Sequence, residues 1–304
     1  MASNPRQPAQ FEHVGEGLLV RAPAKINLSL LIAGKRADGF HELETVMAKI
    51  DLCDEILIES HDEDGIELVC QGTHWAPAGP ENLVYRATQM AFDLAGRSAG
   101  VRLTLTKNIP AGSGLGGASS DAASTLMGLN RHFALGLSQT QLSHIAAALG
   151  SDIAFFLYGP LAFCSGRGEK IAEIPTPFAF RVLLLLPDVH VSTKQVYANY
   201  HHDLQRYEQL HRQIQSHLAE NRIDRFARMR ANMLAESCFD LFAELGDLKS
   251  KVESLGLGPV CLSGSGSALF SILTGANAEN AELLCNRITT TTACRCLLVS
   301  SNRW

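Results

Sequence analysis

Pro110-Ala-Gly-Ser-Gly-Leu-Gly-Gly-Ala-Ser-Ser-Asp121 is the stretch on which the reading of this chain turns. Just upstream, Val101-Arg-Leu-Thr-Leu-Thr106 alternates apolar and polar residues with period two and predicts a strand. Just downstream, a run of small residues from about Ala118 to His132 predicts a helix. Glycines between a strand and a helix let the backbone approach a ligand closely, and free N–H groups at a helix start can hold phosphate. Ser119 and Ser120 add hydroxyl donors. Gly112, Gly114 and Gly117 satisfy G-x-G-x-x-G. A dinucleotide fold would also want an acid about 20 residues further on. Ala122 to Ser151 holds no Asp or Glu, so that reading fails. No Gly-Lys-Ser/Thr follows the loop, which excludes a Walker A motif, and the protein-kinase signatures His-Arg-Asp and Asp-Phe-Gly are absent.

Four further segments carry groups suited to chemistry. In Pro23-Ala-Lys-Ile-Asn-Leu-Ser-Leu30, strand periodicity puts Ile26, Leu28 and Leu30 on one face and Lys25, Asn27 and Ser29 on the other. A Lys and an Asn on one face suit a hydroxyl or phosphate; the alternative is an edge strand with a solvated polar face. Ala37-Asp-Gly-Phe-His-Glu42 is a turn with an aromatic ring beside an imidazole, or a hairpin with an incidental His. Leu149-Gly-Ser-Asp-Ile-Ala-Phe-Phe156 sets one carboxylate past a helix stop, where a plain turn Asp would also stand. Ser263-Gly-Ser-Gly-Ser267 is a second small-residue loop, or an ordinary hairpin.

Around these segments the predicted elements mix strands and helices. Strands are expected at 17–35, 49–70, 161–164, 181–186, 258–262, 268–273 and 295–299. Helices are expected at 81–97, 138–149, 247–255 and near 277–288, with two or three more in the charged, proline-free stretch 194–236. There is no strict βαβ alternation, so the fold class is α+β rather than a doubly wound sheet. Gly166, Gly168, Pro175 and Pro177 cluster where a domain boundary is expected, near 160–180.

The 304 residues are 46% hydrophobic and 19% charged, which excludes a disordered chain. The net charge of −5 gives the whole protein no pull toward nucleic acid or an acidic membrane. No apolar run approaches the roughly 20 residues of a membrane span. The first twenty residues lack the marks of a signal or transit peptide, and a short floppy tail is expected there. Eight cysteines without a C-x-x-C, mostly in apolar runs, read as reduced core residues of a cytoplasmic protein. The 11 histidines show no metal spacing, and no metal ligand is named.

Taken together and in order, from about residue 20 to 275, these segments resemble the three motifs of the GHMP small-molecule kinases. Within that superfamily Pro23-Ala-Lys-Ile-Asn-Leu28, Arg36-Ala-Asp-Gly-Phe-His41 and Gly150-Ser-Asp-Ile153 are most similar to the branch acting on 4-diphosphocytidyl-2-C-methyl-D-erythritol, in non-mevalonate isoprenoid synthesis. The chain departs from the branch at Phe40, where Tyr is frequent, and at Ala154, where Pro is usual. Asp121 stands where relatives carry Asn or Asp.

The resemblance implies a two-domain GHMP kinase fold with a tail at 1–18, an N-terminal domain at 19–170 like domain 2 of ribosomal protein S5, a C-terminal domain at 171–304, and the active site in the cleft between them. It implies transfer of the γ-phosphoryl of ATP to the 2-hydroxyl of the methylerythritol unit. ATP would be held by Pro110, Gly112, Gly114, Leu115, Gly116, Gly117, Ala118, Ser119 and Ser120, with Asn82 and Lys107 near adenine and Mg²⁺ on the phosphates. Asp152 would be the base, with Lys25 beside it. Asn27 would orient the polyol, and Ser265 and Gly266 would border the substrate. Phe40 and Tyr197 would stack on cytosine while His41 reads its edge. The partner is then a small molecule with a cytidine diphosphate group, with no nucleic acid and no membrane. The alternatives are a homoserine or mevalonate kinase-like member, a non-catalytic nucleotide sensor, or an RNA-binding protein of the S5-like fold.

Overall fold

The computed structural model describes residues 8–97, 99–175 and 179–304. In chain order its elements are β1 (Phe11–Val14), β2 (Gly17–Lys35), β3 (His41–His61), β4 (Ile66–Gly72), α1 (Leu83–Ala95), β5 (Gly100–Lys107), α2 (Gly117–His132), α3 (Gln139–Leu149), α4 (Ile153–Phe156), β6 (Leu161–Gly166), β7 (Lys170–Glu173) and β8 (Arg181–Leu186). They continue with α5 (Thr193–Ala198), α6 (Leu204–Ala219), α7 (Ala235–Leu241), α8 (Ala243–Ser254), β9 (Cys261–Leu262), β10 (Leu269–Ile272), α9 (Ala276–Glu279), α10 (Ala281–Thr292) and β11 (Arg295–Ser300). A 3-10 turn at Ile223–Arg228 separates α6 from α7. This is the α+β mixture expected.

Two sheets organise the described residues. The first runs β1-β2-β3-β5-β4, with β6 and β7 added along the other half of β3. β3 is long enough, at 21 residues, to pair β2 on one edge and both β6 and β5 on the other. Only its β4–β5 pairing is parallel. The second sheet runs β11-β8-β10-β9 and is antiparallel.

α2 lies against the first sheet and carries the glycine loop at its N-terminus. Ala122, Ala123, Leu126 and Leu129 are fully buried on it. A β-carbon on Gly128 would stand 2.5 Å from Ile58 Cδ1 and 2.7 Å from Val20 Cγ2, so glycine there lets the helix seat closely. Three apolar cores result, and β2 feeds all of them: Leu18, Val20 and Ala22 the first, Ala24, Ile26 and Leu28 the second, Leu30 and Ile32 the third. The second core also takes residues from β8, β10 and β11, so the two sheets share apolar packing. Backbone bonds add to this: Leu30 N–H donates to Ala231 O at 2.6 Å, Met233 N–H to Leu30 O at 2.9 Å, and Asn302 N–H to Lys49 O at 2.9 Å.

Several sequence expectations change. Of the expected tail, Phe11–Val14 form β1, paired antiparallel to β2; residues 1–7 lie outside the described set. Pro177 also lies outside it. β3 begins at His41, not near 49, because pairing with β2 and β6 overrides the helix-prone composition of His41 to Lys49. The strand expected over 49–70 is two, broken at the Asp62–Gly65 turn. On β2, the register slips between Asn27 and Ser29, so simple two-residue alternation fails there. Both faces of this strand are buried: Lys25 is 3% exposed, Asn27 4% and Ile26 0%.

Candidate active site

Gly114 joins three distant segments. Its backbone sits at φ +77°, and a β-carbon would stand 2.2 Å from the carbonyl oxygen of Ser263, so this close approach requires glycine. Its own carbonyl accepts from Lys25 Nζ at 2.8 Å and from Ser263 Oγ at 3.0 Å. The neighbouring Ser113 carbonyl accepts from Ala268 N–H at 3.0 Å, and Lys25 N–H donates to Leu115 O at 2.9 Å. The early Lys-Ile-Asn strand, the glycine loop and the late serine-glycine loop thus converge on one peptide.

Two cavities open on either side of it. One, of about 320 Å³, is lined by Trp75, Pro77, Asn82, Pro110, Gly117 and Ala118 among others. The other, of about 770 Å³, is lined by Lys25, Asn27, Phe40, His41, Asp152 and Tyr197 among others. Gly114, Gly116 and Ser119 belong to both linings, so the cavities meet at the start of α2.

Seven of the nine glycine-loop residues named from the sequence, Pro110, Gly112, Gly114, Gly116, Gly117, Ala118 and Ser119, line the smaller cavity. α2 has no side-chain cap: Gly116 is its N-cap, and the first-turn N–H groups carry the positive end of a 16-residue helix. Other expected members are placed differently. Leu115 is fully buried in the second core and contributes only backbone. Ser120 is fully buried, its hydroxyl has no partner, and it lines neither cavity. Asn82 lines the cavity, but its oxygen caps α1 through Val84 N–H at 2.9 Å and its amide donates to Pro77 O at 2.7 Å. Lys107 is locked in a buried triad, bonded to Asp54 Oδ2 and, at 2.6 Å, to Asp121 Oδ2. Burial acts to lower the Lys107 pKa, but Asp121 and Asp54 outweigh it and hold the pKa above its usual value. Burial, then the Asp54 charge, push the Asp121 carboxyl well above the usual carboxylate range.

In the larger cavity, Asp152 stands at the start of α4 without capping it, its side chain 41% exposed. Lys25 Nζ is 3.9 Å from Asp152 Oδ2 and donates to Asn27 Oδ1 at 2.6 Å. Burial lowers the Lys25 pKa, and Asp152 and Cys164 act against that fall. Asn27 is held in turn by Thr45, to whose hydroxyl it donates at 2.8 Å. At the other end, His41 packs on Tyr197 with ring centroids 5.1 Å apart. Burial, Lys35 and His202 lower the His41 pKa, which favours the neutral ring with one donor and one acceptor nitrogen. Burial, then Asp152, raises the Tyr197 pKa, so the phenol keeps its proton. Phe40 is 52% exposed, with the Arg167 guanidinium 4.1 Å from its ring centroid. Ser265 lines this cavity, its hydroxyl 2.8 Å from that of Thr193. Gly266 does not; it packs toward Cys238 and Leu262, and Gly264 lines the cavity in its place.

Sequence reasoning did not single out Trp75, Thr45, Arg167 or Lys194, all of which line the cavities. Arg167 had a signal, the Gly166-Arg-Gly168 turn, which was read only as a boundary. Among the described residues no group of three or more His, Cys, Asp or Glu could hold a metal ion, and no helix is long and apolar enough to cross a membrane.

Residues 82–160 match the family described as GHMP kinases N terminal domain, and residues 214–287 match GHMP kinases C terminal. The chain is 37% identical over 256 residues to the 4-diphosphocytidyl-2-C-methyl-D-erythritol kinase of Geobacillus sp. (strain WCH70), covering 84% of this chain and 88% of that protein. It is 39% identical over 259 residues to the kinase of the same name from Bacillus cytotoxicus, with the same coverage. A crystal structure of 4-(cytidine 5'-diphospho)-2C-methyl-D-erythritol kinase superposes with a TM-score of 0.75 at 31% identity, covering 94% of this chain and all of that one. A homoserine kinase from Cytophaga hutchinsonii gives the same TM-score at 18% identity, a likeness of fold alone. The chain belongs to the GHMP kinases, in the 4-diphosphocytidyl-2-C-methyl-D-erythritol kinase family.

Proposed function

We propose that this enzyme transfers the γ-phosphoryl of ATP to the 2-hydroxyl of 4-(cytidine 5'-diphospho)-2-C-methyl-D-erythritol, a step of non-mevalonate isoprenoid precursor synthesis. The observation that carries the reading is the junction at Gly114, Gly116 and Ser119, where a phosphate-loop cavity meets a larger one holding Lys25 and Asp152. The family names support the same substrate.

Phosphoryl transfer needs positioning and charge stabilisation more than covalent help. The N–H groups at the start of α2 and the Ser119 hydroxyl would hold the phosphates. Asp152 would accept the hydroxyl proton as the new O–P bond forms, and the bond to the departing ADP oxygen breaks. Lys25, 3.9 Å from that carboxylate, would offset charge on the group in transit. Lys25 also fixes Asn27, which would orient the polyol through its remaining amide hydrogen. Phe40, His41 and Tyr197 would take the cytosine.

Mg²⁺ would neutralise phosphate charge, as is usual with ATP. The carboxylates lining the smaller cavity are Glu81 and Asp121, and Asp121 keeps one buried oxygen, Oδ1, without a partner. Asp121 therefore fits one Mg²⁺ contact, the rest coming from phosphate and water. A division into domains at 19–170 and 171–304, and a cytoplasmic setting for its free cysteines, are part of the same proposal.

The test is direct: incubate the protein with Mg-ATP and the cytidylylated methylerythritol, and follow product by phosphorus NMR. Phosphorylation of homoserine or mevalonate, with none of the cytidine substrate, would overturn the assignment.

A further inference from the structure

Lys49 is 1% exposed and lines neither of the joined cavities. Burial pushes its pKa from 10.5 to about 7, against the pull of Glu173. Its ammonium has two hydrogen-bond partners among the described residues, and both are main-chain carbonyls: Phe156 O at 3.1 Å and Tyr158 O at 2.7 Å. They lie at and just past the C-terminal end of α4, where a helix leaves acceptors unfilled. Asp152 stands at the other end of the same helix, which is four residues long and so about 6 Å from end to end. Its carboxylate bonds no helix N–H, and Lys25, at 3.9 Å, is its ion-pair partner among the described residues. What places Asp152 is therefore the backbone that carries it.

The sheet supplies the second half of the arrangement. Lys49 on β3 lies directly opposite Lys25 on β2 in the antiparallel register. Opposed residues share a face, with β-carbons about 4.5–5.5 Å apart. Two buried lysines thus leave one rung of the sheet for the two ends of one short helix. Lys25 meets it at Asp152 and Lys49 at Phe156. The Lys49 N–H also donates to Pro160 O at 2.8 Å, so the side chain and main chain of one residue hold the segment that follows α4. A methionine would fill similar space without a charge to bury, but it would leave the carbonyls unpaired.

We infer that Lys49 is a positioning residue for phosphoryl transfer: by tying the C-terminal end of α4 to the rung that carries Lys25, it fixes Asp152 relative to Lys25 and to the accepting hydroxyl. The inference rests on the kinase reading above, in which Asp152 is the base. Lys49 lies outside the cavities, so its loss should be felt in turnover and not in binding.

Lys49→Met should lower kcat by roughly ten- to a hundredfold, the scale of a displacement near 1 Å at a reacting group. KM for ATP and for the cytidine substrate should stay within about twofold. Radiolabelled ATP extends the assay to the weak turnover of Asp152→Asn, which closes a double-mutant cycle. In the Asp152→Asn background, Lys49→Met should cost less than about twofold further, because the carboxylate it acts through is already gone. Lys49→Leu repeats the cycle where the methionine variant does not fold. A folded variant with kcat within about twofold of the parent would overturn the positioning role. So would a loss that appears in KM instead, or an equal loss in both backgrounds, the mark of a general loosening. A parent enzyme that does not phosphorylate the cytidine substrate would overturn the kinase reading itself, and this inference with it.

Discussion

Gly114→Ala adds a single methyl group and should disable the enzyme. That methyl would stand 2.2 Å from the Ser263 carbonyl oxygen and 3.0 Å from that of Gly266. Ordinary contact begins at 3.4 Å, so the two loops must part by about 1 Å. The parting loosens the bonds from Ser263 Oγ and Lys25 Nζ to the Gly114 carbonyl, and from Ala268 N–H to Ser113. An alanine at φ +77° costs about 1–2 kcal/mol, and each weakened bond up to about 1 kcal/mol. The stability loss should then be roughly 2–4 kcal/mol, measured by urea unfolding. A displacement of 1 Å at reacting groups can cost about 100-fold in rate. Coupled measurement of ADP release should show kcat down by about that factor. KM for the cytidine substrate should change less than kcat, because Phe40, His41 and Tyr197 come from other segments, the start of β3 and α5. A folded Gly114→Ala enzyme with kcat within about threefold of the parent would refute the role of this peptide as the junction of the site.

Asp152→Asn should keep nucleotide affinity and lower kcat by roughly 100-fold or more, and near-parent turnover would remove Asp152 as the base. His41→Ala should raise KM for the cytidine substrate by roughly ten- to a hundredfold with a smaller fall in kcat, and Phe40→Tyr should be nearly silent; a collapsed kcat at unchanged KM would move His41 to the reacting centre. Burial pushes the Lys49 ammonium from 10.5 to about 7, so between those values the unfolded chain binds a proton that the native one releases, and stability should rise with pH. Lys49→Met should reduce that rise in urea midpoints, and an unaltered pH slope would contradict it. Lys107→Met should destabilise by about 3–5 kcal/mol, because it leaves Asp54 and Asp121 buried without their cation; a parent-like urea midpoint would contradict the triad.

Local chemistry was legible wherever it was carried by consecutive residues. The glycine loop, Lys25 with Asn27, the Phe40-His41 turn and Asp152 each stood out as short segments, the resemblance joined them into one site, and they line the two joined cavities. What sequence could not supply was who else competes for a side chain. Lys107 and Asn82 stand at the cavity wall, yet Asp54, some fifty residues away, takes the first, and a helix start takes the second. Ser120 differs from Ser119 by one helical step of about 100°, enough to turn its hydroxyl from the cavity into the core. Leu115 and Gly266 were carried over with their motifs from the resemblance, which does not say which way each residue faces. Phe11–Val14 were missed because four residues with two polar members show a strand only once β2 is beside them.

The passage of β2 through all three cores has a mechanical consequence. A protein whose halves are joined by a slack linker can open and shut like a jaw. Here the same stiff ribbon is embedded in both halves, and bending it would tear apolar packing on both of its faces at once. What is free to adjust lies at the rim of the larger cavity, in the turn before His41 and the one at Arg167, where the cation rests on the Phe40 ring.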